Sequence, residues 1–192
     1  MLAEGVPPAM IENVARMAGM PVGPLALTAE IGIDLAWKIL QATKKDAGTE
    51  ILIDPAQEKL LEEMVVKRER FGRKNSRGFY DYSGRDKALW PDLEKLAPPK
   101  SGDDYDVTGL KQRFLVTQAL EARRTVAEGV VTDPREADVG SILGFGFAPY
   151  TGGTLSYIDM LGAAEFVALA EKLAAKHGAR FRPPALLKEM AA

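Results

Sequence analysis

The sequence predicts an all-α fold made of two similar helical units. Apolar residues recur at helical spacing over most of the 192 residues. Two segments carry strong signatures of a capped helix start. In addition, the order of motifs in the first half of the chain returns in the second half, which indicates a duplicated unit.

The first half contains several predicted helices. One is indicated by apolar positions on a single helix face, namely Ile11, Val14, Ala15 and Ala18. Apolar residues from Leu25 to Leu40 predict one or two more helices, with Gly32 as a candidate break. The run Asp54-Pro55-Ala56-Gln57 predicts a further start, because Asp54 can cap the helix, proline fits its first turn and Gln57 completes a capping box.

The helical pattern is interrupted over residues 72–86. Three glycines divide a basic loop, and the aromatic run Phe79-Tyr80-Asp81-Tyr82 predicts a small strand or an extended loop. Residues 91–106 combine prolines with acidic side chains and predict a linker. We therefore place a boundary near residue 100, between one unit at 1–99 and another at 100–192.

The second half begins with a long predicted helix at about residues 108–128. Asp133 repeats the capping signature, with Glu136 three residues later. The stretch from Gly144 to Gly153 is too rich in glycine for a regular element. Another helix is predicted at 163–176, with Gly178 at its C-terminal capping position.

The evidence for duplication is the order of short motifs. Glu4-Gly5-Val6 and Glu128-Gly129-Val130 each precede a helix and then a loop of glycine and proline. A glycine follows seven residues after Leu25 and again seven residues after Leu155. The shift between the halves is 124 residues at the start and 130 at the end, so an insertion of six residues reconciles them.

The composition excludes several classes of protein. The formal net charge of −2 argues against nucleic acid and membrane surfaces as partners. The absence of cysteine excludes a disulfide framework and a thiol nucleophile, and a single histidine excludes metal motifs that need two. There is no apolar run of about 20 residues and no signal peptide, so we expect no membrane span and a cytoplasmic location.

Two stretches are candidates for binding anions. The stretch Gly144–Gly153 lacks the Lys-Ser/Thr ending of a phosphate loop, so a tight connection between helices is the better interpretation. Five basic residues surround a glycine-bounded loop: Arg68, Arg70, Arg73, Lys74 and Arg77. The sequence leaves open whether they form a solvated surface or an anion site.

The residues alone indicate no catalytic constellation. His177 lies at the end of a predicted helix, where a cation is favoured by the helix dipole. Asp133, Asp138 and Asp159 are better explained as caps and hydrogen-bond acceptors than as an acid–base pair. We expect no catalytic residue and no metal site in this chain.

Several spaced motifs resemble the C-terminal domain of 3-hydroxyacyl-CoA dehydrogenases. In the first half they are Gly19–Leu25, Ile31–Asp34 and Phe71–Tyr80, of which the last is similar to the end-of-domain signature. The second half is similar to the second copy of this domain in multifunctional fatty-acid oxidation proteins. The motifs there are Arg113, Glu128-Gly129, Gly144–Phe147, Gly152-Gly153 and Ile158-Asp159. The resemblance covers about residues 4–178.

The resemblance implies a duplicated helical fold, which is also related to the C-terminal domain of 6-phosphogluconate dehydrogenase. It also implies NAD-dependent interconversion of 3-hydroxyacyl-CoA and 3-oxoacyl-CoA in fatty-acid β-oxidation. In that family a separate Rossmann domain holds NAD and the catalytic His–Glu pair, and an asparagine on the first helix of the C-terminal domain assists. The helical domain closes over the acyl-CoA and dimerises.

This sequence departs from the family pattern at the positions that carry the chemistry. No Rossmann strand precedes Gly5, and the helix that bears the asparagine would lie upstream of Met1. Leu120 stands where the second copy often has asparagine, and Ala29 where the first copy often has aspartate. We therefore expect a fragment or split piece of the enzyme that does not transfer hydride alone and holds no cofactor itself.

The candidate surfaces facing the substrate or the missing domain are two loops and a basic segment. They comprise Met20, Pro21, Gly23 and Pro24; Phe147, Pro149, Gly152 and Gly153; and Arg73, Lys74 and Asn75. The expected partners are the Rossmann domain, a hydratase domain, a second copy of the chain and a thiolase subunit. The alternative is a stand-alone helical interaction module without enzymatic activity.

Overall fold

The computed structural model describes residues 1–45, 54–100 and 105–191. Within them the helices are α1 (Pro8–Met17), α2 (Pro24–Ile31), α3 (Ile33–Lys45), α4 (Pro55–Glu62), α5 (Leu93–Leu96), α6 (Val107–Ala127), α7 (Pro134–Phe145), α8 (Thr154–Leu161), α9 (Ala163–His177) and α10 (Ala185–Met190). The strands are β1 (Tyr80–Ser83) and β2 (Asp86–Leu89), which pair as an antiparallel hairpin. The predicted all-α class is confirmed.

The two aspartates predicted to cap helices form hydrogen bonds at the helix starts. Asp54 accepts a hydrogen bond from the N–H of Ala56 at 2.9 Å, and Asp133 accepts one from the N–H of Arg135 at 2.9 Å. Gly178 follows the last residue of α9 and donates its N–H back to a carbonyl of that helix. Both helix starts and this helix end therefore follow from contacts between near neighbours in the chain.

Two predicted irregular segments contain helical turns. Helix α7 continues through Gly144 to Phe145, and a 3₁₀ turn forms at Pro149–Thr151, so the glycine-rich stretch is not wholly irregular. The predicted linker contains the one-turn helix α5, which is anchored by fully buried Leu93. A buried apolar residue thus stabilises helical structure in a segment whose composition predicts a loop.

The chain divides into two compact units. The first comprises Met1–Asn13 and Val22–Tyr105, and the second comprises Val14–Pro21 and Asp106–Ala192. Buried residues of the first unit come from α1, α2, α3 and α5, from the segment that follows α4 and from the residues that flank the hairpin. They include Ile11, Leu25, Ala26, Ile33, Met64, Phe79, Trp90 and Leu93.

The core of the second unit forms around α6, α8 and α9. Val116 and Leu120 on α6 and Phe166 on α9 are fully buried there, and Leu187 anchors α10 to the same core. Leu120, at the position where the resemblance suggests asparagine, is therefore a packing residue. Its environment suits an apolar side chain and leaves no water-facing surface for a polar group.

The same order of helices occurs in both halves of the chain. Helices α1, α2 and α3 are followed later by α7, α8 and α9, and the second and third helix of each set are joined by a single glycine, Gly32 or Gly162. The duplication inferred from motif order therefore has a counterpart in the element order. Within the described ranges, no helix combines the length and the apolar composition needed to cross a membrane.

Candidate functional site

The first candidate loop leads into helix α2 through Gly23 and Pro24. The buried side chain of Glu12, on α1, holds this helix start: its Oε1 accepts hydrogen bonds from the N–H of Leu25 at 2.7 Å and of Ala26 at 3.0 Å. The first N–H groups of a helix lack partners within the helix, and a carboxylate there also complements the helix dipole. A side chain on Gly23 would collide with this carboxylate.

The second candidate loop leads into helix α8 through Gly153 and Thr154. Asp138 of α7 accepts hydrogen bonds at Oδ1 from the N–H of Leu155 at 2.7 Å and of Ser156 at 3.2 Å. Its Oδ2 accepts the hydroxyl of Ser156 at 2.6 Å. Gly153 has a φ of 127°, and a Cβ there would overlap Asp138.

The two loops are therefore stabilised in the same way. An acid on the preceding helix holds the N-terminus of the next helix directly after a glycine, eleven residues after Glu12 and fifteen after Asp138. The interpretation of Asp138 as a hydrogen-bond acceptor is confirmed. Sequence reasoning missed Glu12. The available signal was an acid beside Ile11, within the apolar stripe of a short helix.

The remaining loop candidates differ in exposure. Met20 is buried, and Pro21 lies against Gly146, where a Cβ would be 2.9 Å from the proline Cγ. Phe147 has no exposed surface, whereas Pro149 and Gly152 are exposed. In the second loop, Pro149 and Gly152 thus face outward, whereas Phe147 and Gly153 are buried.

The basic segment is largely ion-paired. Arg73 Nη1 lies 3.0 Å from Glu30 Oε1, and Lys74 Nζ contacts Asp34 Oδ1. The side chain of Asn75 bonds to the backbone of its own loop, with Oδ1 accepting the N–H of Phe71 at 3.2 Å. These contacts hold the segment in place. The paired carboxylates also neutralise the positive charge that would otherwise attract an anion.

Arg70 is the residue of the basic cluster whose environment differs most from the exposed position that its charge suggests. It is buried, its Nε donates to the carbonyl of Gly78 at 2.8 Å, and it forms an ion pair with Asp81. The guanidinium also lies 4.0 Å from the ring centroid of Trp90, a cation–π contact. Arg70 therefore connects the hairpin to the core of the first unit. Its charge is used within the protein and is not exposed to solvent or to a bound anion.

Removing the carboxylate at Asp138 is expected to destabilise the second unit. We expect Asp138→Ala to lower the free energy of unfolding by about 1–2 kcal/mol, because two backbone N–H groups of α8 lose their acceptor. Urea unfolding followed by far-UV circular dichroism measures this change. The exposed acid Asp159, on α8, is the control, and Asp159→Ala should change stability by less than about 0.5 kcal/mol. Equal losses in the two variants would contradict the capping role.

The ion pair of Asp34 predicts a pH dependence. The Lys74 ammonium holds the pKa of the Asp34 carboxyl below its ordinary value. A carboxyl whose pKa is lower in the folded state stabilises the fold above its unfolded pKa, and this contribution is lost as the pH falls through the folded pKa. Lys74→Gln should therefore lower stability at pH 7, by an amount that shrinks below about pH 4.

Tryptophan fluorescence during denaturation at several pH values tests this expectation. Both tryptophans, Trp37 and Trp90, lie in the first unit together with Asp34, so the signal reports on the relevant part of the chain. Lys45→Gln is the control, because it removes one positive charge from the end of α3, the helix that carries Asp34. A stability gap between wild type and Lys74→Gln that stays constant from neutral to acidic pH would show that Asp34 titrates independently of Lys74.

The described residues do not fit a nicotinamide dinucleotide. Such sites are built on parallel strands with a glycine-rich turn at a helix start. In the part of the chain that the structure describes, the only sheet is the antiparallel hairpin, and the sequence contains no Gly-x-Gly-x-x-Gly. The same residues contain no group of three or more histidine or acidic side chains that could hold a metal ion.

Comparison with known proteins connects this arrangement to one family. Residues 1–82 match the family described as the C-terminal domain of 3-hydroxyacyl-CoA dehydrogenase. The whole chain matches the fatty acid oxidation complex subunit alpha of Shewanella halifaxensis with 38% identity, and that of Shewanella oneidensis with 36%. In both cases the chain spans only 27% of the length of the relative.

Solved structures show the same fold. The crystal structure of 3-hydroxybutyryl-CoA dehydrogenase from Escherichia coli K12 matches 98% of this chain and 55% of its own, with a TM-score of 0.70 at 20% identity. The dehydrogenase part of multifunctional enzyme 1 from C. elegans matches 97% of this chain and 42% of its own, with a TM-score of 0.66 at 21% identity. Residues 1–82 are thus similar to the C-terminal domain of 3-hydroxyacyl-CoA dehydrogenase, and the whole chain is similar to part of the alpha subunits of the fatty acid oxidation complex.

Proposed function

We propose that this chain is the substrate-cleft and dimerisation portion of an NAD-dependent 3-hydroxyacyl-CoA dehydrogenase of fatty-acid β-oxidation. The observation that carries the proposal is the match of the entire chain to just over a quarter of a fatty acid oxidation alpha subunit. NAD and the catalytic His–Glu pair would then belong to a Rossmann domain elsewhere in the protein. This chain would contribute shape and contacts rather than hydride transfer.

The geometry of the two loops supports this role. Each loop ends in a helix start that is held by a carboxylate, Glu12 or Asp138, and each has a glycine with no room for a side chain. A wall that contacts substrate gains affinity when it is already ordered before binding, because less conformational entropy is lost. The outward positions Pro21, Pro149 and Gly152 are the residues that would meet the acyl-CoA or the Rossmann domain.

The proposal includes partners that follow from the family. They are 3-hydroxyacyl-CoA and 3-oxoacyl-CoA as ligands, the Rossmann and hydratase domains in the same polypeptide, a second copy of the chain and a thiolase subunit. The cytoplasm would be the site of action. The alternative, a stand-alone interaction module, requires a protein that works at the size of this chain.

The mass of the native protein is the first test. We expect an immunoblot of the source cell, with antibodies against these 192 residues, to show a band well above 20.8 kDa. A Rossmann domain of about 150–200 residues would by itself roughly double the mass. A band near 20.8 kDa would instead favour the interaction module.

Activity of the protein at its native mass is the second test. The purified native protein should oxidise NADH when acetoacetyl-CoA is added, whereas the 192-residue chain alone should not. Calorimetry of the chain with acetoacetyl-CoA distinguishes two cases. In one the chain forms part of the substrate cleft and binds only together with the Rossmann domain, and in the other it binds acyl-CoA independently. Strong heat of binding to the isolated chain would contradict the proposed division of labour.

A further inference from the structure

An apolar groove lies between helices α6 and α7 of the second unit. Its volume is about 380 Å³, a size at which surface clefts hold ligands or the side chains of a partner. The lining is mainly apolar and includes Ala122, Val131, Ala137 and Phe145. At Gly140, which also lines the groove, an added Cβ would meet no heavy atom of the described residues within 4 Å. The described chain therefore leaves this space open.

Exposed apolar side chains continue the groove along α7. Leu143 follows Gly140 by three residues and Val139 precedes Leu143 by four, so these positions share one side of the helix. Val139 is 57% exposed, Leu143 is 81% exposed and Phe145 is 49% exposed. Clustered exposed apolar side chains mark contact surfaces in soluble proteins. We name the groove, together with Val139, Leu143 and Phe145, the α6–α7 surface.

The hydrogen-bond donors in the groove lining are already used within the protein. Gln118 Nε2, Thr125 Oγ1 and Ser141 Oγ each donate to a backbone carbonyl of their own helix, at 2.7, 2.8 and 2.7 Å. The polar groups that remain for a partner are chiefly acceptors, above all the carboxylates of Glu121 and Glu136. A complementary partner must therefore bring donors.

The charge of the lining points in the same direction. Glu121 Oε2 lies 2.7 Å from Arg124 Nη1, whereas no ion pair with another described residue holds Glu136. Both acids are exposed, and no lysine or arginine of the described chain lines the groove. Residues 139–145 carry no charge, so the acids flank an uncharged centre. Such an arrangement favours positive groups beside an apolar contact.

We propose that the α6–α7 surface binds a helix of a partner protein in which lysine or arginine residues flank an apolar stripe. Apolar side chains of that helix would enter the groove and cover Leu143 and Phe145, as in other helix-in-groove contacts. The flanking basic residues would supply the donors and the positive charge that Glu121 and Glu136 accept. This inference does not depend on the proposed function, because the two carboxylates would repel the phosphates of an acyl-CoA.

Fluorescence anisotropy with two labelled peptides tests the proposal. The probe is a helical peptide of leucine and lysine, about 15 residues long, with leucine on one face, and the matched peptide has glutamate in place of lysine. The 192-residue chain should bind the lysine peptide at least about tenfold more tightly than the glutamate peptide. This preference should shrink as NaCl is raised from about 50 to about 500 mM, because salt screens exposed charges.

Substitutions locate the binding on the chain. Glu136→Lys should weaken binding of the lysine peptide by about tenfold and strengthen binding of the glutamate peptide, which a loss of structure would not do. Gly140→Leu fills the groove and should weaken binding of both peptides by about tenfold. Glu189→Lys makes the same change of charge at an exposed position of α10 and is the control, with both affinities within about twofold of wild type. Thermal unfolding followed by circular dichroism shows that each variant is folded.

Several results would overturn the proposal. One is a wild-type chain that binds the two peptides equally or binds neither. Another is an unchanged affinity for the lysine peptide in folded Glu136→Lys and Gly140→Leu. Binding to phosphatidylglycerol vesicles in place of either peptide would assign the surface to a membrane. Self-association that Gly140→Leu abolishes, without binding of peptide, would assign it to a second copy of the chain.

Discussion

Replacing Phe147 by alanine is expected to lower the free energy of unfolding of the second unit by about 3–5 kcal/mol. The ring has no exposed surface and packs edge-on against Tyr157 with a centroid distance of 6.2 Å. Tyr157 in turn packs against Phe166 at 6.0 Å. Removing the first ring of this row leaves a cavity that close-packed neighbours fill only in part.

Phe145→Ala provides the matched control for this prediction. Phe145 lies two residues earlier and is half-exposed, so its loss should cost less than about 1 kcal/mol. Urea unfolding followed by far-UV circular dichroism measures both variants. Burial raises the pKa of Tyr157 to about 12, and opening the core in Phe147→Ala should return that pKa toward its ordinary value. Similar losses of stability in the two variants would contradict the assignment of Phe147 to the core.

The parts of the fold that sequence reasoning predicted depend on contacts between near neighbours. Asp54 and Asp133 cap helices through N–H groups two residues away, so both caps can be recognised from a few consecutive residues. The glycine that ends α9 has the same local character. The repeated order of motifs extended this local information to the whole chain, since each half supported the interpretation of the other.

The parts that it missed depend on contacts across longer stretches of chain. Arg70 bonds to the carbonyl of Gly78 and stacks on Trp90, and its charge alone suggests a surface residue. Glu12 bonds to residues 25 and 26, so its role appears only when two helices are placed together. Charged side chains are normally exposed, and composition cannot identify the exceptions that a fold buries with partners.

For the candidate loops, the position could be predicted from local residues, whereas the exposure of each side chain could not. Glycine and proline predicted where the loops lie, because these residues permit or enforce unusual backbone conformations. Which side chains face outward could not be predicted, and Phe147 lies in the core while Pro149, two residues later, is exposed. Exposure in a loop is set by what packs beneath it, and that packing involves Tyr157, ten residues further along.

Gly72→Ala should cause a large loss of stability in the first unit. Gly72 has φ 116° and ψ −151°, a region that is essentially restricted to glycine. A Cβ there would overlap the carbonyl oxygen of Ala29 on α2 and lie 2.9 Å from its carbonyl carbon. Backbone strain and overpacking each cost about 1–3 kcal/mol, so we expect a loss of about 2–6 kcal/mol.

The strain at Gly72 cannot be relieved by a small rotation, because hydrogen bonds to Arg77 hold the backbone on both sides. The N–H of Gly72 donates to the carbonyl of Arg77 at 2.7 Å, and the N–H of Arg77 donates to the carbonyl of Gly72 at 3.1 Å. Gly84, in the hairpin turn, has φ 60° and an added Cβ that meets no atom of the described chain within 4 Å, so Gly84→Ala tests a positive φ in open space, with an expected cost of about 1 kcal/mol. Tryptophan fluorescence during urea unfolding measures both variants in the first unit. Equal midpoints would mean that the approach of Gly72 to α2 is not what requires glycine.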